Sequence, residues 1–187
     1  ARPAGVVAPM IKLVTLLALA GAVTPVLAQT PSFTLVGTLP SGGSSLVYGL
    51  SANGQSAAGH TVTSSFGLSG FLWTADAGRN DFDLVTGRTQ GLGISGDGLT
   101  VVGGGGTGSG AFAFRWSATG GYQNLGTLSG FTQAEAHDAN FDGSIVVGTL
   151  ETTTNGTPQA FRWTASGGMQ GLGFGTRADA ISGDGSV

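Results

Sequence analysis

The sequence predicts an all-β fold, a β-propeller-like array of four-stranded blades. Two observations predict it. Asn-Gly or Asp-Gly pairs recur at intervals of 44, 45 and 42 residues, and a Phe-x-Trp motif recurs in step with them. Four short strands in about 40 to 50 residues are typical of a propeller blade. The alternative is a β-helix or solenoid, whose coils are usually shorter than this period.

The first 28 residues stand apart from the repeats. Residues 1–9 precede the first methionine, so we expect them to be untranslated upstream sequence. Residues 10–28 have the pattern of a secretory signal peptide, with Lys12, an apolar run and a small-residue cleavage site that ends at Ala28. The apolar run is shorter than the roughly 20 residues that a membrane span needs. The sequence therefore predicts Sec export, to the medium or the cell surface, with no membrane span beyond the signal peptide.

The composition of residues 29–187 excludes several function classes. This part holds five arginines, no lysine and ten acidic residues, a formal charge of −5. Such a surface has no electrostatic footprint for nucleic acid or for an anionic membrane. Because the sequence has no cysteine, it can form neither a disulfide scaffold nor a thiolate zinc site. Glycine supplies 36 of 187 residues, which indicates either disorder or many turns.

The placement of the glycines favours turns. Four Asn-Gly or Asp-Gly pairs each follow a Ser or Asn by two residues, and two of them lead into a β-branched run. Such pairs predict β-hairpins, because a type I′ turn needs positive φ at both central residues. The predicted structural glycines are Gly54, Gly98, Gly143 and Gly185.

The three tryptophans mark a second strand in every repeat. Trp73, Trp116 and Trp163 each follow a Phe by two residues, so Phe and Trp share one side of a strand. A blade cannot bury both faces alone, and we expect these aromatics to pack against the next blade. Each repeat then has a Val-Val-Gly strand, a Phe-x-Trp strand, a Leu-Gly strand and the run into the next Asp-Gly pair. We expect about three complete repeats with partial ones beside them, so that residues 29–187 form an incomplete propeller, a fragment of a longer one.

These units resemble the HAF family of bacterial extracellular repeats. The resemblance rests on G-T-L-P-S-G-G-S-S-L-V-Y-G-L-S-A-N-G, A-F-R-W-T-A-S-G-G-M-Q-G-L-G and A-I-S-G-D-G-S-V, and it covers residues 33–187. The sequence departs at the histidine that gives the family its name, where Gln159 and Phe112 stand, and Gly70 replaces the alanine before Phe71. The resemblance implies a secreted or surface protein, often with a C-terminal sorting or anchoring segment, and no defined enzymatic activity.

Two glycine- or acid-rich patterns suggest ligands. Gly103, Gly105 and Gly108 match a dinucleotide fingerprint, but the fingerprint must open a helix, and residues 111–116 have a strand pattern. We predict a flexible loop between strands there. Asp138, Asn140 and Asp142 match the first half of a calcium loop. Thr149 stands where that loop needs a Glu, and the other repeats lack the first acid, with Gly49, Gly93 and Ala180 in its place. The pattern favours an ordinary turn, with calcium as the alternative.

The remaining polar residues form no recognisable catalytic motif. His60 and His137 are the only histidines, and we expect both in loops. Asp81 and Asp83 could act as paired carboxylates, but their spacing favours a solvated strand edge. The sequence therefore predicts no catalytic residue and no cofactor.

The function predicted from the sequence is a non-catalytic, secreted or cell-surface binding or structural module. Its partner would be an extracellular ligand, either a glycan or a protein. The alternative is a propeller-type glycan hydrolase or lyase, with its site outside or between these repeats.

Overall fold

The computed structural model describes residues 43–63, 67–83, 88–107, 110–152, 156–173 and 177–186, all within the compact unit Leu35–Val187. The expected upstream residues and signal peptide, 1–28, lie outside these ranges. The described chain contains twelve β-strands and no helix, so no described helix could cross a membrane. The all-β prediction is confirmed.

The strands form three consecutive antiparallel meanders of four strands each, which we call blades 1, 2 and 3. Blade 1 contains β1 (Ser45–Leu50), β2 (Ser56–Val62), β3 (Leu68–Thr74) and β4 (Gly78–Phe82). Blade 2 contains β5 (Arg88–Ile94), β6 (Val101–Thr107), β7 (Gly110–Ser117) and β8 (Gly121–Gly126). Blade 3 contains β9 (Gln133–Ala139), β10 (Ile145–Glu151), β11 (Gln159–Thr164) and β12 (Gly168–Gly171). One parallel bridge, Leu68 to Arg88, joins blades 1 and 2 into an eight-stranded sheet.

The four predicted strands are present in each blade, but the blade begins at a different point of the repeat. The run that leads into the Asn/Asp-Gly pair is the first strand of a blade rather than the last. Each of the first three pairs therefore joins the first two strands of one blade, and the next blade starts after the Leu-Gly strand.

The turns at these pairs are not type I′ turns. The amide of Gly54 donates to the carbonyl of Ser51 at 2.9 Å, which makes Asn53 and Gly54 the third and fourth residues of the turn. Gly98 bonds Ser95 in the same way, at 2.9 Å. The type I′ prediction placed the pair at the two central positions and is wrong, although Gly54 does take a positive φ of 70°. Glycine is favoured at the fourth position of a type I turn.

The residue two positions before each Asn or Asp stabilises the turn. Ser51 Oγ accepts a hydrogen bond from the amide of Ser56 at 2.9 Å and donates one to Asn53 Oδ1 at 2.8 Å. The same Asn53 oxygen accepts the amide of Gln55 at 2.9 Å. These bonds satisfy the amides that the strands leave unpaired at the turn, which explains why Ser or Asn precedes every Asn/Asp-Gly pair.

Successive turns lie side by side along one rim of the blades, and we call residues 51–56, 95–100, 140–145 and 182–186 the turn row. The amide of Ala52 donates to the carbonyl of Gly96 at 2.9 Å. Further along the row, the amide of Asp97 donates to Phe141 at 2.8 Å, and the amide of Phe141 donates to Gly183 at 2.9 Å. Each blade is thus linked to the next through main-chain bonds between turns.

The close approach of successive turns leaves no room for a side chain at Gly98 and Gly143. A Cβ at Gly143 would lie 2.7 Å from Thr100 Cβ, and a Cβ at Gly98 would lie 2.6 Å from Ser56 Oγ. At Gly54 a Cβ would meet no atom within 4 Å. At the later turns glycine is therefore required for two reasons: the backbone has a positive φ, and the preceding turn leaves no space for a Cβ.

The core lies between blades. One cluster joins blades 1 and 2, with Ala58, Leu72, Phe82, Ile94, Val101 and Phe114 as its buried residues. Within it, Phe82 of β4 stacks on Trp116 of β7 at a ring distance of 4.2 Å. The second cluster joins Val102, Ala113 and Leu125 of blade 2 to blade 3 residues that include Val146, Phe161 and Trp163.

The aromatic motif faces the preceding blade. This corrects the expectation that it packs against the next one, because the second and third blades' Phe-x-Trp pairs contact the outer strand of the blade before them. The phenylalanines Phe71, Phe114 and Phe161 are fully buried. Trp163 is also buried, whereas Trp73 and Trp116 are half-buried.

Two matched glycine substitutions test the turn row. We expect G54A to cost about 1 kcal/mol, because only the positive φ opposes alanine there. G143A adds a clash with Thr100 and should cost roughly 1–3 kcal/mol more. Urea unfolding of both variants and the parent protein gives the two free energies, and equal losses would contradict a role for contact between turns.

Candidate functional site

A cavity of about 290 Å³ lies between blades 2 and 3. It opens at the strand ends opposite the turn row. The lining residues come from four strands: Arg88, Gln90, Gly104, Gly105, Gly106, Gly110, Ala111, Gln133 and Glu135. Four long polar side chains of the described residues line this cavity: Arg88, Gln90, Gln133 and Glu135.

Strand alternation brings the polar side chains together. On β5, Arg88 and Gln90 face the cavity, and the residue between them is buried on the opposite face. On β9, Gln133 and Glu135 face the cavity, again with a buried residue between them. Since β5 and β9 are the first strands of neighbouring blades, the two pairs line opposite sides of the same opening.

The absence of one side chain creates the space. Gly104 of β6 stands at the position that His60 occupies in blade 1 and Thr149 in blade 3. The Cγ atom of Glu135 lies 3.1 Å from where a Cβ of residue 104 would be. Glu135 of blade 3 therefore lies against the bare backbone of blade 2.

The glycines around Gly104 have structural causes of their own. A Cβ at Gly103 would lie 1.8 Å from the carbonyl oxygen of Gln90, and a Cβ at Gly106 would lie 2.0 Å from that of Gly110. Residues 103–106 belong to β6, so the prediction of a flexible loop there is wrong. The segment that follows is strand β7, and it offers no helix N-terminus to a dinucleotide phosphate. Gly108 lies outside the described residues.

Burial and nearby charges of both signs shift the pKa of Glu135. Burial raises the pKa of the Glu135 carboxyl, and the negative charge of Glu151 raises it further. The positive charges of Arg177 and Arg88 lower the pKa of the same group and only partly offset this effect. Glu135 is thus a partly desolvated acid whose charge interacts with those of Glu151, Arg177 and Arg88.

Both histidines lie in strands, so the prediction that they occupy loops is wrong. His60 of β2 is 3 % exposed and its ring stacks on Tyr48 at 5.1 Å. Its Nδ1 atom is buried without a hydrogen-bond partner among the described residues. His137 of β9 has its Nε2 atom 3.2 Å from Thr149 Oγ1. Burial lowers the pKa of both imidazoles, and neither ring lines the cavity.

The three calcium candidates direct their oxygens to main-chain amides. Asp138 Oδ2 accepts the amide of Ile181 at 3.0 Å, and Asp138 Oδ1 accepts that of Ala139 at 2.8 Å. Asn140 Oδ1 accepts the amide of Ile145 at 2.8 Å. Asp142 Oδ1 accepts the amide of Ser144 at 3.0 Å. The described residues contain no group of three or more His, Cys, Asp or Glu side chains that could hold a metal ion. Calcium binding by this set stays the alternative to an ordinary turn.

The two acids near β4, Asp81 and Asp83, have different surroundings. Asp81 forms a salt bridge with Arg79, whose NH2 lies 2.7 Å from Asp81 Oδ1. Arg79 in turn lies over the ring of Phe71, with Cζ 4.1 Å from the ring centroid. Asp83 is exposed and follows the end of β4. Asp81 thus helps to cover a buried aromatic ring.

Sequence reasoning missed all four polar residues of the cavity. The available signal was the repeat alignment, in which Gln90 and Glu135 replace Leu46 and Gly104 replaces His60 or Thr149. A polar replacement on a first strand beside a missing side chain on a second strand marks the site.

Solved structures resemble this arrangement of blades. A structure of putative TolB from Agrobacterium tumefaciens matches 76 % of this chain with a TM-score of 0.59 at 16 % identity. TolB from Acinetobacter baumannii also matches 76 % of this chain, with a TM-score of 0.54 at 18 % identity. The chain has a β-propeller-like fold.

The likeness extends to the fold alone. The chain covers 56 % of the Agrobacterium protein and 36 % of the Acinetobacter protein, about half and about a third of their lengths. No family model and no curated protein matches the sequence. The propeller prediction is confirmed in preference to the β-helix.

The charge of Glu135 should make stability depend on pH. Its pKa is raised in the folded protein, so folding favours the protonated acid, and this contribution is lost as the pH rises through the folded pKa. We therefore expect E135Q to be more stable than the parent protein at neutral pH, with an advantage that shrinks as the pH falls through the raised pKa. Urea unfolding across a pH series measures both proteins. D76N, which removes an exposed charge from a turn, is the matched control. An advantage that grows at low pH would contradict the assignment.

Proposed function

We propose that this protein is a secreted or cell-surface binding module without catalytic activity, and that it binds a glycan in the cavity between blades 2 and 3. The observation that carries the proposal is the convergence of Arg88, Gln90 and Glu135 on a space that Gly104 leaves open. None of the hydrogen bonds among the described residues uses these three side chains, so their polar atoms remain available to a ligand.

The lining chemistry suits hydroxyl groups. A guanidinium, an amide and a carboxyl group offer both donors and acceptors within one opening. Among the described lining residues there is one cation and one acid, so the lining does not select strongly for a charged ligand. The described lining also has no aromatic side chain, so these residues would hold a ligand by hydrogen bonds rather than by ring stacking. A neutral saccharide is the ligand class that fits best.

The sequence supports the location. Residues 10–28 have the pattern of an export signal, and the resemblance to HAF-type repeats implies a secreted or surface protein. A negatively charged, cysteine-free repeat domain is compatible with that setting. The fold similarity to TolB structures adds only that propeller-like blades are present.

A glycan-acting enzyme is the second candidate, and Glu135 is the observation that favours it. An acid with a raised pKa in a cavity between repeats is the kind of group that can protonate a glycosidic oxygen. Glu151, whose negative charge raises the pKa of Glu135, would be the second carboxyl. If the purified protein hydrolyses members of a glycan panel and E135Q abolishes that hydrolysis, the enzyme replaces the binding module.

Binding can be measured on a glycan array and then by calorimetry with the best oligosaccharide. We expect saturable binding without turnover, and a loss of about tenfold in affinity for Q90A, because one hydrogen bond contributes roughly 1–1.5 kcal/mol. G104T fills the cavity with the residue that blade 3 carries at the same position, and it should remove binding while the protein still unfolds cooperatively.

The matched control is Q123A, which removes the same side chain from an exposed position on β8. It should bind like the parent protein. Equal losses in Q90A and Q123A, or full binding by folded G104T, would exclude the cavity as the site. Binding to unglycosylated protein but to no glycan would assign the module to a protein ligand instead.

A further inference from the structure

A second cavity, of about 260 Å³, lies on the side of blade 3 that faces away from blade 2. We call this side the trailing face of blade 3. The lining is mostly apolar and consists of Val147, Arg162, Leu172, Ala178, Ala180, Ile181, Ser182 and Ser186. Strand pairing places Val147 directly opposite Arg162, so both side chains project from the trailing face.

The trailing faces of the other two blades carry the same apolar positions, and that of blade 2 also carries the arginine. In blade 1, Ala58 pairs with Leu72 and lies beside Phe82. In blade 2, Val102 pairs with Arg115. The apolar residue of the outer strand recurs as well, as Phe82, Leu125 and Leu172. The trailing face of blade 3 is therefore a third copy of a surface that occurs twice inside the protein.

The trailing faces of blades 1 and 2 both contact the Phe-x-Trp pair of the following blade. Phe114 and Trp116 of β7 pack on the trailing face of blade 1, with Trp116 stacked on Phe82 at 4.2 Å. Phe161 and Trp163 of β11 pack on the trailing face of blade 2. There the guanidinium carbon of Arg115 lies 5.7 Å from the centroid of the Trp163 ring.

On blade 3, the segment 177–186, which forms no strand, lies against the trailing face at the position that β5 and β9 occupy on blades 1 and 2. Ile181 lies in the place of Ile94 and is held by the bond from its amide to Asp138. The turn of this segment is joined to the turn row through Phe141 and Gly183. The outer part of the face, around Leu172 and Arg162, forms the cavity.

We propose that this cavity binds a β-hairpin that carries a Phe-x-Trp pair of the same repeat type. Leu172 takes the place of Phe82 and Leu125 against the incoming rings. Arg162 takes the place of Arg115 over the incoming indole, a cation–π contact. The proposal rests on the equivalence of three trailing faces, two of which form observed interfaces, and it is independent of the glycan site between blades 2 and 3.

The test uses the whole chain and a fluorescein-labelled synthetic hairpin with the sequence of residues 145–164. Fluorescence anisotropy should show saturable binding. The same peptide with F161S and W163S should bind at least about tenfold more weakly, because both buried rings are lost. In the protein, L172S should weaken the parent hairpin by a similar factor. L99S is the matched control, because Leu99 is a 65 % exposed leucine on the turn row, and it should have no effect.

Three results would overturn the proposal. The first is no saturable binding of the hairpin, and the second is equal binding of the serine peptide. The third is a homodimer in sedimentation that L172S dissociates and that the hairpin does not disrupt, which would make a second copy of the chain the occupant. R162A supplies a further readout, since loss of the cation–π contact should reduce affinity a few-fold while the midpoint of urea unfolding stays unchanged.

Discussion

The contact between successive turns fixes the geometry on which the rest of the structure depends. Main-chain bonds between Ala52 and Gly96, and between Asp97 and Phe141, hold the first strands of neighbouring blades side by side. The approach is so close that a Cβ at Gly143 would lie 2.7 Å from Thr100 Cβ. Once that rim is fixed, each blade presents one face to the blade before it and one to the blade after it. The Val-Val pair of the second strand then supplies one buried side chain to each interface, as Val101 and Val102 do.

This frame leaves a few positions free to vary, and they lie at the strand ends away from the turn row. One cross-strand site holds a stacked Tyr48 and His60 in blade 1 and a bonded His137 and Thr149 in blade 3. Blade 2 has Gly104 at this position, and the side chain of Glu135 from the neighbouring blade lies against it. The candidate site thus consists of residues that differ from their counterparts in the other blades. The fold tolerates these differences because the site residues lie outside the buried clusters between blades.

The sequence patterns predicted those features of the fold that depend on interactions between neighbouring residues. Period-two alternation and the spacing of Asn/Asp-Gly pairs revealed the strands, the turns and the blade length, because each depends on a few neighbouring residues. The first strand of a blade and the direction in which Phe114 and Trp116 face depend on pairing between distant segments, and the sequence pattern is the same for either choice. The cavity was harder still to predict. It depends on a side chain that Gly104 lacks and on Glu135, 31 positions later in the chain.

Two acids that both break the repeat show how structural and functional departures differ. Asp138 stands where blades 1 and 2 have Gly49 and Gly93, and at Gly93 the next first strand comes so near that a Cβ would lie 2.3 Å from the carbonyl oxygen of His137. Asp138 instead accepts the amide of Ile181 with one carboxylate oxygen and that of Ala139 with the other, so its polar atoms are used within the fold. Glu135 forms no hydrogen bond among the described residues, and burial raises its pKa. Partial burial of the Glu135 charge costs free energy, and Arg88 and Arg177 offset this cost only in part. A ligand that donates hydrogen bonds to this carboxylate would offset more of the cost, which is the physical reason to place ligand binding at Glu135 rather than at Asp138.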